Sequence, residues 1–212
     1  MNGFHLPRGR FTDALLALAA FALVFVAFTI GLIPALLRYG YTPALVSLGV
    51  WREAPVLAAL SPLASAFLPS DFFSAIFNGI LFLIAGRYVE KAIGPVGLGI
   101  VFVAGCYSGA LARLLLTPYA MLPSSGLSPA LFAAIGAYLM LYGVPQSLPV
   151  PRHLSRSLQI GVVALFWLVV QLAFSIATKH FEFSVSIVDP FGALIAGMLL
   201  ARPLLALKYR KA

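Results

Sequence analysis

Few residues in this chain are equipped for chemistry, and they lie far apart. Ser128 stands in Pro123-Ser124-Ser125-Gly126-Leu127-Ser128-Pro129, just where an apolar run begins. A serine there is a helix cap or packing residue by default, and a nucleophile only with a base in reach. Asp189 sits about five residues into the last apolar run, followed by Pro190, Phe191 and Gly192. A carboxylate at that depth must face protein or a water-filled cavity. Its plainer role is a helix-start acid favoured by the dipole, with Pro190 at the first helical position. Asn78 is an amide inside a second run and needs partners; its plainer role is glue between helices. Glu90 and Lys91 at one helix end, and Arg113 near another, can anchor by snorkelling. The single Cys106 excludes an internal disulfide and a cysteine metal cluster. His5, His153 and His180 fall in separate polar segments without metal-ligand spacing, so neither a metal nor a cofactor is expected.

The elements that must position these residues are membrane helices. Hydrophobic residues make up 62% of the 212 and charged residues 9%, against roughly 45–50% and 25% in soluble domains. Mean hydropathy is +1.03. Too little polar surface remains to coat a soluble core, and disorder is excluded for the same reason. An all-α polytopic membrane protein follows. The net charge of +8 is scattered between apolar runs, which marks loops rather than a nucleic-acid surface. No nucleic-acid partner is expected; the lipid bilayer is.

Six spans are long enough to cross it: about 12–33, 72–93, 96–116, 126–145, 158–178 and 184–206. The first is too long for a signal-peptide core and lacks a clear small-x-small site, so it reads as a retained helix. The expected organisation is a tail over 1–11, a membrane domain over 12–206 and a basic tail over 207–212. Residues 34–71 are apolar but interrupted by Pro34, Pro43, Pro55, Pro62 and Pro69, so they read as an outer interfacial loop at whose depth Trp51 and Arg52 belong. Most of the 14 Lys and Arg fall on the side of Arg8, Arg10, Arg87, Lys91, Arg152, Arg156, Arg202, Lys208, Arg210 and Lys211. Both termini are therefore expected in the cytoplasm. Gly126, Ala130 and Ala134 in the fourth span, with Gly192, Ala196, Ala193 and Gly197 in the sixth, form small-residue stripes. Such stripes allow close helix approach, which would make the starts of those spans, and so Ser128 and Asp189, neighbours.

Taken in order, these motifs resemble the rhomboid family of intramembrane serine proteases over roughly residues 45–202. Trp51-Arg52 resembles the family's first-loop pair. The stretch Phe67 to Asn78 resembles its loop-to-helix signature. Gly86, Glu90 and Gly94 are similar to its helix-end glycines and glutamate, and Tyr107-Ser108-Gly109 to its third helix. Gly126-Leu127-Ser128 resembles the nucleophile motif, and Asp189 to Ala196 the last one. The resemblance implies a six-helix bundle; the compact size of the chain, without extra domains, leads to the expectation of a bacterial inner-membrane location. It also implies Ser128 as candidate nucleophile, Asn78 at the oxyanion position, and Trp51, Arg52, Gly86, Glu90, Gly126, Gly192 and Ala196 in structural or gate positions.

The departures fall on the catalytic parts. The dyad histidine position holds Asp189, the oxyanion histidine position Ser74 and the loop histidine position Pro69. Pro129 follows the serine and has no N–H to donate. Imidazole titrates near 6.5 and a carboxylate near 3.9, so aspartate is a poor substitute base. His180 is the one histidine placed to replace it. The preferred reading is a pseudoprotease that binds transmembrane helices of client proteins without cutting them. The alternatives are an active divergent protease using Ser128 with Asp189 or His180, and a small transporter or channel subunit working through Asp189.

Overall fold

The computed structural model describes residues 6–69, 71–143 and 183–210, with scattered positions between 155 and 173. All regular structure among the described residues is helical. Helix α1, Arg10–Thr29, is apolar on every face, and only 6% of its apolar window is buried. At 20 residues it spans about 30 Å, the thickness of a bilayer core. Its N-cap, Gly9, has no side chain to take up the orphan amides of the first turn. Glu90 supplies the missing acceptor from another helix. The amides of Phe11 and Thr12 donate to its carboxylate at 3.0 and 2.8 Å, and the Thr12 hydroxyl at 2.7 Å. Arg87 pairs with Asp13 at 2.8 Å beside it. Gly86 completes the clasp, since a Cβ there would lie 2.9 Å from Thr12 Cγ2. Glu90→Ala is expected to cost about 1–2 kcal/mol, as loss of a helix cap does. Hydrogen exchange should show the effect confined to the first turn of α1, with rates there about tenfold higher.

The expected interfacial loop folds into short pieces: α2 (Leu32–Tyr39), α3 (Pro43–Ser47), a 3-10 turn (Val50–Arg52) and α4 (Pro55–Ser65). The prolines explain the fragmentation. Pro43 and Pro55 open the first turns of α3 and α4, where a missing N–H costs nothing. The loop is stitched to the later chain: the Ser124 amide donates to Tyr41 O at 2.7 Å, Ala44 N to Ala120 O at 3.2 Å, and the Ser47 hydroxyl to Pro118 O at 2.8 Å.

Helix α5, Phe72–Leu116, is a hairpin of two arms, 72–93 and 95–116. Gly94 makes the turn with φ +83°, and Pro95 opens the second arm. The rings of Phe82 and Phe102 are 5.9 Å apart, whereas a straight helix would hold them about 30 Å apart. Both expected spans are present, joined by one residue. Helix α6, Ser128–Tyr142, is bracketed by Gly126 and Gly143, both with positive φ. These glycines make it shorter than the expected 126–145. Helix α7, Phe183–Arg210, continues past the expected end at 206, since Leu207, Lys208 and Tyr209 break nothing. The described positions of the expected fifth span are helical, and Val163 joins the core; the rest of 158–178 lies outside the described residues.

The core is built where α5, α6 and α7 meet, around Phe82, Leu98, Phe132, Leu131 and Leu194. Glycine and alanine set its spacing. A Cβ on Gly197 would run into the backbone carbonyl of Ala133, and one on Gly136 into that of Leu194. Small residues of α6 and α7 do face one another as expected, although Gly136 was not among those singled out.

Candidate functional site

Two glycines of the second α5 arm bring the candidate site together. A Cβ on Gly105 would lie 3.0 Å from Pro129 O. One on Gly109 would lie 3.2 Å from Pro129 Cβ and 3.0 Å from Asp189 O. The start of α6 and the turn of α7 that carries Asp189 therefore converge on one surface of α5. Gly192 extends the contact, its Cα facing Ser108 O and Ala112. Ser128 and Asp189, 61 residues apart in sequence, sit on neighbouring elements as expected.

Their side chains are not joined. The Asp189 carboxylate is buried, and its Oδ2 accepts from the Ser124 hydroxyl. The same oxygen lies 3.6 Å from Nη1 of Arg113. Arg113 is fully buried, and its Nη2 donates to Leu122 O. Asp189 Oδ1 and the Nε and Nη1 of Arg113 have no hydrogen-bond partner among the described residues. The carboxylate thus ties the end of α5, the 117–127 connection and α7 together through two buried charges of opposite sign. Tyr41, between α2 and α3, lies close enough to feel both charges. Burial first, then the Asp189 carboxylate, pushes its phenol up to about 12, so it stays protonated at physiological pH.

Three expectations change here. Arg113 is no snorkelling anchor: a charge this deep is tolerable because a carboxylate sits beside it. Pro190 lies inside α7 rather than at its first position, so Asp189 is no helix-start acid. Ser74 is engaged in capping. Its amide and its hydroxyl both donate to Asp71 at 2.7 Å, closing the first turn of α5.

The remaining candidates are dispersed. Ser128 is partly exposed, and its hydroxyl makes no hydrogen bond among the described residues. Gly126 turns the chain just before it, its amide donating to Ser65 O at 2.9 Å and Leu68 O at 3.1 Å. Asn78 is buried in the first α5 arm, with no hydrogen-bond partner for its Oδ1 among the described residues. Trp51 and Arg52 are exposed on the 3-10 turn, the guanidinium 5.9 Å from the indole centroid. Ala196 is half-buried on α7. Gly86 and Glu90 serve the α1 clasp. His180, the alternative base, lies outside the described residues, as do His5 and His153.

Sequence reasoning missed Ser124 and Tyr41, and gave Arg113 the wrong role. One signal was available: Arg113 and Asp189 are opposite charges in apolar runs, both expected close to the same end of their spans.

A family model described as Rhomboid domain matches residues 57–207. A comparison with curated proteins finds no match.

Proposed function

This chain belongs to the rhomboid family, and from that premise we propose that it is a pseudoprotease, binding transmembrane segments of client membrane proteins without cutting them. One observation carries the reading. At the position where the family places its histidine, Asp189 has a carboxylate oxygen committed to Ser124 and Arg113. Serine attack requires a base within about 2.6–3.2 Å of the hydroxyl, with a lone pair free to take its proton. A carboxylate held against a guanidinium serves structure instead. Pro129 supports the same reading, since it has no amide N–H to offer an oxyanion beside Ser128.

Client helices would enter from the bilayer, which surrounds a chain of this hydropathy. The proposed orientation keeps both termini in the cytoplasm of a bacterial inner membrane. In support, Arg87, Lys91 and Lys208 gather at one end of the bundle, where Lys208 Nζ donates to the carbonyls of Lys91 and Ala92 at 3.0 Å. A divergent protease is the alternative, because Ser128 and Asn78 keep the family's residue types.

Fluorophosphonate labelling in lipid nanodiscs tests the choice without a substrate. The expected result is no labelling of the wild type or of Ser128→Ala, beside a labelled active rhomboid. Labelling of the wild type that Ser128→Ala abolishes would overturn the pseudoprotease reading, and Asp189→Ala and His180→Ala would then locate the base.

A further inference from the structure

A crevice of about 180 Å³ runs between α1 and the first arm of α5, and its lining is predominantly apolar. Leu16, Ala20 and Leu23 line it from α1, Ile76 and Gly79 from α5, Phe67 from the segment between α4 and α5, and Leu127 from the turn before α6. Its shape follows from how α1 is held. The Glu90 clasp fixes the base of α1, and Leu16 Cδ2 comes within 3.8 Å of where a Gly79 Cβ would lie. Beyond that point little of α1 is buried, and the two helices leave a gap.

We propose that this crevice holds one acyl chain of a bilayer phospholipid, with its tip against Leu127, next to Ser128. The crevice is continuous with the lipid-facing surface. Ile76 lines it while being 60% exposed, and Ile80 and Phe21 carry the same apolar surface past its mouth. Chemistry selects the occupant. An unwound peptide would bring a row of N–H and C=O groups into a predominantly apolar space, which is costly inside a bilayer. A hydrocarbon chain has no polar group to satisfy, is narrow, and gains dispersion contacts with walls that would otherwise face a void. The proposal does not depend on whether Ser128 is active.

The test is electron paramagnetic resonance of the full chain in phosphatidylcholine nanodiscs carrying phosphatidylcholine spin-labelled near the end of one acyl chain. Ala20→Phe fills the crevice. Leu111→Phe adds the same bulk to an exposed face of the second α5 arm and serves as control. The expected result is a loss of motionally restricted lipid in Ala20→Phe and none in Leu111→Phe. Equal restricted populations in wild type and Ala20→Phe, or equal losses in both variants, would overturn the proposal. If Ala20→Phe does not fold, Leu23→Trp on the same wall is read by the same criterion.

Discussion

Arg113→Ala is expected to lower the stability of the folded protein by about 3–5 kcal/mol, and Asp189→Ala by a similar amount. Each change leaves the other charge buried without its counter-ion, since Arg113 is fully buried and Asp189 nearly so. Arg113→Ala also takes the donor from Leu122 O, and Asp189→Ala the acceptor from the Ser124 hydroxyl. The double variant Arg113→Met, Asp189→Leu should recover most of the loss, because the desolvation cost of both charges goes with them. A double-mutant cycle of unfolding in detergent measures the coupling. Single variants within about 1 kcal/mol of wild type would mean that solvent reaches the pair, as it does at exposed ion pairs. The same cycle bears on function. A carboxylate needed to hold α5, the 117–127 connection and α7 together is a structural group, and its removal should disturb the proposed client binding only through the fold.

Gly197→Val should be the most damaging single substitution in the helix core. A Cβ there would overlap the carbonyl oxygen and carbon of Ala133, which are backbone atoms with no rotamer to escape into. Helices α6 and α7 would have to move apart, opening the contact that also seats Gly136 against Leu194. A cost of about 4 kcal/mol or more is expected, in the range reserved for core overpacking and its kin. Loss of the monodisperse folded peak in detergent would show it. Gly161→Ala is the matching control: nothing among the described residues lies within 4 Å of its Cβ position, and a change of no more than about 0.5 kcal/mol is expected.

Hydropathy alone determined that this chain is a helical membrane protein, because burial in lipid is a property of each run of residues taken by itself. It located the α5 arms to within a residue or two, since each arm is an apolar run of bilayer length. It also placed Ser128 near the start of its helix, and the small-residue stripes brought that helix and the one carrying Asp189 together on grounds of size. What each polar side chain touches was decided only by tertiary structure. Glu90 caps a helix that begins 80 residues earlier. Arg113 reaches Asp189 across 76 residues, and Ser124 reaches it across 65. Such pairs depend on how far each helix is rotated about its axis and how close its neighbours come. Those angles are set jointly by Gly105, Gly109, Gly136, Gly192 and Gly197 against their partner backbones. A one-dimensional pattern carries the size of these residues but not the rotation that their packing produces.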